Sequence, residues 1–191
     1  MSSYPSIVDL YNATARGYDE LYRDEQYSKY KFVFSRGFTP KGTVVDIGCG
    51  TGLLYEYIVS MGYTFTRYLC IEPSPQMIYL SLRKCKGDPR TFGIMGYGEN
   101  VGLRDGVADT IYSFTVLDNV EKKYWPIFIG EIVRLLNTHG YAILSFLRHG
   151  WRDKLEYLRK INMDRGLEMK FLGCNRYDCF IVFLGECCVR E

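Results

Sequence analysis

The stretch Val44–Tyr57, "VVDIGCGTGLLYEY", decides the fold. Its β-branched start reads as a buried strand, its glycines at 48, 50 and 52 as a turn, and "LLYEY" as the opening of a helix. A backbone without Cβ atoms lets a ligand approach such a turn, and the following helix offers it free N–H groups. A dinucleotide fingerprint would place its third glycine at position 53, where this chain has Leu53, and the G-K-S or G-K-T of a phosphate loop is missing. Both phosphate readings are weakened. The second signal is "YLCIEPSPQMI", in which Glu72 ends an apolar strand 20 residues past Gly52. At that distance an acidic side chain can accept hydrogen bonds from both ribose hydroxyls. The implied ligand therefore contains a ribose and requires no pyrophosphate.

Around this unit the pattern alternates. Expected strands are Thr43 to Ile47, Tyr68 to Ile71, Thr91 to Met95, Thr110 to Phe114, Tyr141 to Phe146, Glu168 to Cys174 and Cys179 to Leu184. Expected helices are Leu53 to Met61, Pro75 to Lys84, Trp125 to Leu136 and Trp151 to Asp164. Such alternation implies an α/β fold: a Rossmann-like, doubly wound, seven-stranded and mostly parallel sheet with helices on both faces. The connection between the last two strands is too short for a parallel crossover, so they are expected to form an antiparallel C-terminal hairpin. The first forty residues read mainly as helix, with five acidic and five basic residues.

A chain of 191 residues fits one domain that buries about 70% of its unfolded surface. Twenty-four basic against 22 acidic residues leave +2, which announces neither nucleic acid nor an anionic membrane. No apolar run approaches the ~20 residues of a membrane span. The N-terminus has no basic start followed by an apolar block, so a cytoplasmic protein is expected. Seven cysteines without a C-x-x-C pair suit neither a zinc site nor a secreted disulfide framework. No metal is expected, and most cysteines are read as free thiols. Cys174 and Cys179, which flank "NRYD" in the expected hairpin, form the one candidate disulfide.

The chain resembles the class I S-adenosylmethionine-dependent methyltransferases, within them the broad group related to the ubiquinone- and menaquinone-biosynthesis enzymes. The resemblance rests on "VVDIGCGTG", "IEPSPQMI", "GYGENVGLRDGVADTIYSFTVLDNV" and "IVRLLNTHGYAILSF", in the family's order, and more loosely on "YNATARGYDELY". It implies a single methyltransferase domain over 1–191: an N-terminal helical lid at 1–41, a cofactor-binding core at 42–147, and a C-terminal helix and strand hairpin at 148–191.

It also implies that S-adenosyl-L-methionine is the cofactor and S-adenosyl-L-homocysteine the product. Asp46, Gly48, Cys49, Gly50 and Gly52 would hold the methionine part, Glu72 the ribose, and Pro73 with Met77 the adenine. "GYGEN" stands where the family usually has "G-D-A-E-N", so Tyr97 replaces the acid that receives the adenine amino group. Either Tyr97 simply packs, or adenine recognition passes to Tyr97 by stacking, to Gly98 and Glu99, or to backbone groups. Phe114 would line the passage to the acceptor. Tyr11 and Tyr18, seven apart on the first helix, either pack in the core or close the site.

Methyl transfer is an in-line displacement, so a dedicated catalytic residue is not obligatory. Candidate bases are Asp118, His149 and Asp19. His139 is read as structural. "TVLDNV" stands where relatives often carry two histidines, and the N-P-P-Y type motif of amino-methyltransferases for bases and glutamine is absent. A small-molecule acceptor, reacting at O, N or C, is favoured. An RNA or protein acceptor is the alternative: Arg148 to Lys170 carries seven basic residues against four acidic with aromatics interleaved, a stripe that could touch RNA or an acidic protein, although a solvated amphipathic helix of mixed charge is the commoner explanation. Two further readings compete: a non-catalytic cofactor-binding scaffold, and a nicotinamide oxidoreductase, against which Leu53 argues.

Overall fold

A computed structural model describes residues 4–163 and 167–185. Seven strands form one sheet: β1 (Thr43–Ile47), β2 (Arg67–Glu72), β3 (Thr91–Met95), β4 (Ala108–Ser113), β5 (Leu136–Leu147), β6 (Glu168–Cys174) and β7 (Asp178–Leu184). Their order is β3-β2-β1-β4-β5-β7-β6. The first five strands are parallel, and β7 pairs antiparallel with both β5 and β6. The Rossmann-like sheet with its C-terminal hairpin is thus as expected. Cys174 and Cys179 face each other in the hairpin register and are disulfide-bonded, while Cys49, Cys70 and Cys85 are free and buried. Cys187 and Cys188 lie outside the described residues, as does Asp164, the expected end of the last helix.

Among the described residues six helices accompany the sheet: α1 (Tyr4–Thr14), α2 (Tyr18–Phe34), α3 (Leu53–Ser60), α4 (Pro75–Lys84), α5 (Trp125–Leu135) and α6 (Trp151–Met163). A tight 3-10 turn, Ala15–Gly17, joins α1 to α2. Helix α4 starts where the sequence says it should. Ser74 caps it by accepting the Met77 N–H at 3.3 Å, Pro75 occupies the first turn, and Arg83 and Lys84 sit at its negative end. Strand β5 begins five residues earlier than the apolar run predicts, because Leu136 pairs with Ala108 across an irregularity in the register.

Alternation along the strands feeds two cores. Val45, Ile47, Ile71 and Ile111 pack with Phe128 and Ile132 of α5 on one face of the sheet. On the other face Val44 and Tyr68 pack with Val33 and Tyr30 of α2 and Ile58 of α3. This second core is rich in tyrosine, and its buried phenols find acceptors: Tyr112 donates to Phe38 O at 2.9 Å, and Tyr141 donates to Thr39 O. Aromatic bodies supply buried area while the hydroxyls stay satisfied, which accounts for much of the chain's tyrosine. No helix among the described residues is long and apolar enough to cross a membrane.

Candidate active site

In a doubly wound sheet the crevice lies outside the carboxyl ends of the strands, where the strand order reverses. Here that point falls between β1 and β4. A cavity of about 440 Å³ opens there, within the range for small-molecule sites. One half, over β1 and β2, is lined by Gly48, Gly50, Glu72, Pro73, Met77 and the segment 96–99. Its other half, over β4, is lined by Phe114 to Val116 and Asp118 to Val120 together with side chains of α1 and α2.

The glycine turn folds over the end of β2, with Gly48 and Cys49 N–H groups donating to Ile71 O at 2.8 and 3.2 Å. Gly50 has φ +54, and a Cβ built on it meets nothing within 4 Å. Gly50 lines the cavity, so its backbone is open to the cavity space. Gly52 differs: at φ +81 its Cβ would meet Ser81 Oγ at 2.7 Å and Ser81 Cα at 3.0 Å, so this glycine serves the packing of α3 on α4. Glu72 is 6% exposed and accepts the Gly50 N–H at 3.0 Å on Oε2 and the Ser74 N–H at 2.9 Å on Oε1. Burial raises its pKa against the opposing effect of these two N–H donors. Each oxygen keeps a lone pair for a further donor.

Some expected cofactor contacts are not on the wall. Asp46, Cys49 and Gly52 do not line the cavity. Asp46 lies beneath the turn, 2% exposed, and its Oδ2 accepts the Tyr68 hydroxyl at 2.7 Å. Burial pushes its pKa up to about 7; the Tyr68 hydrogen bond opposes this and the Glu72 charge adds to it. The unfolded chain releases this proton near pH 4. Between about pH 4 and pH 7 the native chain therefore holds a proton that the unfolded chain has lost, so stability falls as pH rises through that window. Asp46→Asn removes this titration while keeping an acceptor for Tyr68. The variant should lose the downward slope and gain stability at pH 8. A shift of half the size given is worth about 2 kcal/mol. Urea denaturation at pH 5 and pH 8 measures it; equal slopes in both proteins would show that Asp46 is ionised throughout.

Helix α1 spans the crevice. On one side Asn12 Oδ1 accepts from Ser74 Oγ at 2.7 Å and from Gln76 N at 3.2 Å, at the start of α4. On the other, Asn119 Nδ2 donates to the Tyr11 hydroxyl at 2.9 Å. Tyr11 and Tyr18 both line the cavity, and burial raises both phenol pKa values. Tyr97 stands on the wall, 43% exposed, with Gly98 and Glu99 beside it, and Glu99 is also shifted upward by burial.

The three candidate bases fare differently from the expectation. His149 is exposed and off the cavity wall. Asp19 is also off it: its carboxylate takes the Thr51 hydroxyl at 2.5 Å, the Lys84 ammonium at 2.5 Å and Arg23 at 3.3 Å, tying α2 to the glycine turn and α4. Asp118 is on the wall, but Oδ2 accepts the Leu147 N–H at 2.7 Å and Oδ1 pairs with Lys154, so both oxygens clamp β5 to α6. Its local partners explain what its position in the sequence could not.

Sequence reasoning missed a buried polar group at the β4 end of the cavity. Lys29 of α2 is fully buried and lines the cavity. It contacts Glu25 Oε1 at 2.7 Å, Thr115 Oγ1 at 2.7 Å and Asp178 Oδ1 at 3.4 Å. Thr115 and Ser145 hydroxyls donate to Asp178 Oδ2 at 2.7 and 2.6 Å. These residues come from α2, the β4 loop, β5 and β7, so no local motif announces them.

A family model described as a methyltransferase domain matches residues 45–144. No curated protein sequence matches the chain. Solved structures share its fold at low identity. A proposed S-adenosyl-L-methionine-dependent methyltransferase from Methanococcus maripaludis superposes with TM-score 0.73 at 18% identity, over 91% of this chain and 93% of that one. A proposed methyltransferase complexed with the Trm112 methyltransferase activator of Haloferax volcanii gives 0.73 at 18%, over 92% and 97%. DhpI in complex with S-adenosylhomocysteine gives 0.77 at 14%, over 95% and 96%. With its matched segment running from β1 through β5, the chain belongs to the methyltransferase domain family, within the class I S-adenosylmethionine-dependent superfamily.

Proposed function

We propose that this chain binds S-adenosyl-L-methionine at the β1/β4 crevice and transfers its methyl group to a small-molecule acceptor. The observation that carries the reading is the pairing of Gly50, whose missing Cβ leaves open space on the cavity wall, with the buried Glu72 carboxylate held beside it. The residues fit the cofactor's charge as well. With Asp118 already balanced by Lys154, Glu25, Glu72 and Glu99 line the cavity against Lys29, the one lysine lining it among the described residues, a wall that favours a ligand of net positive charge.

When bound, the cofactor supplies an electrophilic methyl group on a sulfonium. The chain's share is to hold and to enclose. Glu72 holds the ribose hydroxyls; Pro73, Met77 and Tyr97 face the adenine; Phe114 and the loop after it fix the direction of approach. Helix α1, latched through Asn12 and Tyr11, keeps water out of the crevice and limits the acceptor to a small molecule.

A second reading has one specific support. β3 is an outer strand whose Phe92 and Met95 are 49% and 67% exposed, and a structural neighbour is complexed with an activator protein. An edge of this kind suits strand addition by a partner that helps to hold a larger acceptor.

Calorimetric titration with S-adenosylhomocysteine tests the cofactor reading. The wild-type chain should bind, and Gly50→Ala should stay folded, at a cost of about 1–2 kcal/mol for the left-handed residue, while losing most of its affinity. Gly52→Ala should instead lower the melting temperature first. Normal binding by Gly50→Ala would move the ligand elsewhere. Incubating cell extract with methyl-labelled cofactor then assigns the acceptor: label in the small-molecule fraction supports the main reading, and label in RNA or protein supports the second.

A further inference from the structure

The acceptor half of the cavity, over β4, carries more negative charge than Lys29, its one lining cation among the described residues, balances. The Lys29 ammonium lies between Asp178, which is fully buried behind Thr115, and Glu25, which lines the cavity. One ammonium thus faces two carboxylates, Glu25 at 2.7 Å and Asp178 at 3.4 Å, so the trio carries one net negative charge at the wall; Glu25 Oε1 turns to Lys29, and its Oε2 has no partner among the described residues. The cofactor half has Glu72 and Glu99 of its own, so this charge is additional to theirs.

Aromatic rings stand beside it. Tyr11, Tyr18 and Tyr22 line the same cavity in a chain of contacts, with centroids 6.3 and 4.8 Å apart. Aromatic rings next to a partly desolvated carboxylate form the environment that attracts an organic cation. The backbone supports the arrangement at a cost. Thr115, at φ +60, is the one non-glycine residue with positive φ among the described residues. It is pinned there by its N–H to Ser145 Oγ at 2.9 Å and its hydroxyl to Asp178, and this aims Oγ1 at Lys29. Strain held in place by surrounding contacts is characteristic of functional sites.

We propose that the methyl acceptor is a small amine on an apolar body, its nitrogen received by Glu25 and the three tyrosines, with Lys29 a positioning residue that fixes Glu25. This inference rests on the methyltransferase reading above. An acceptor with a carboxylate or phosphate at this point would be a third anion around one ammonium, and the site rejects it. The amine arrives as an ammonium and gives one proton to the Glu25 carboxylate. The freed nitrogen lone pair forms the N–C bond to the methyl carbon while the C–S bond breaks and its electron pair returns to sulfur. The products are a methylated ammonium and the neutral thioether, and Glu25 then releases its proton to solvent.

The test uses the full chain saturated with S-adenosylhomocysteine and three probes that share a phenyl ring: 2-phenylethylamine, 2-phenylethanol and 3-phenylpropionate. Calorimetry should show the amine binding at least tenfold more tightly than the acid, with the alcohol between them. Glu25→Gln should bring amine and acid within threefold of each other, and Glu25→Asp should keep the amine preference. Equal or tighter binding of the acid overturns the proposal. So does an amine preference that survives in Glu25→Gln, or an amine that fails to bind. Titration with S-adenosylhomocysteine alone separates the two levels: binding there without an amine preference removes only the acceptor assignment, and no binding there removes the methyltransferase reading with it.

Discussion

Replacing Glu72 with glutamine is expected to weaken S-adenosylhomocysteine binding by on the order of 100-fold, the largest effect on affinity of any single change at the site. A hydrogen bond to a charged acceptor contributes about 1.5–3 kcal/mol, and a ribose offers two hydroxyls to this carboxylate. The carboxylate also shapes the turn. Its two oxygens take the N–H groups of Gly50 and Ser74, one from the glycine turn and one from the cap of α4. Glutamine has one oxygen and one amide nitrogen, so it must point N–H donors at one of these backbone N–H groups. The turn and the cap can no longer both be satisfied, and Gly50 shifts where the ligand needs it fixed. Glu72→Ala leaves both N–H groups without an acceptor in a buried place, so a fall in melting temperature should accompany its loss of affinity. A glutamine variant that keeps wild-type affinity would take the ribose role away from Glu72.

The half of the crevice proposed for the cofactor was legible in the sequence because its signals are local. Gly48, Gly50 and Glu72 sit at the ends of two adjacent parallel strands, and strand, turn and helix each have a short-range signature. The same locality gave the hairpin its direction, whereas the strand order, with its switch point between β1 and β4, is set by packing. What sequence patterns could not show is which polar side chains already have partners. Asp118 and His149 were candidate bases by position, and Asp19 was a third candidate. Only the packing reveals that Asp118 is bound to Lys154 and Leu147, and Asp19 to Thr51 and Lys84. Asp46 shows the limit in another way. Its place in the glycine motif suggested a ligand contact, yet the side chain points down to Tyr68 and stays under the turn.

The acceptor half is built by the opposite logic, and its stability shows how. Lys29→Met should destabilise the protein by about 3 kcal/mol in urea denaturation, because breaking a buried pair leaves an uncompensated charge behind. Lys29 and Asp178 are each fully buried, with Nζ and Oδ1 3.4 Å apart. The two hydroxyls on Asp178 Oδ2 soften the loss, since they continue to solvate one oxygen, but Oδ1 has no hydrogen bond of its own. Asp178→Asn alone removes the buried anion and keeps an acceptor for Thr115 and Ser145. Lys29 then retains Glu25, so this variant should lose less, about 1–2 kcal/mol. The double variant Lys29→Met with Asp178→Asn leaves neither charge stranded. It should be more stable than Lys29→Met alone, and the double-mutant cycle should give a coupling of about 2 kcal/mol. Additive losses with no coupling would mean that the pair does not form. A buried ion pair of this kind is no bargain for stability, since apolar residues of similar volume often do as well. Its place on the cavity wall beside Glu25 is consistent with selection for the ligand rather than for the fold.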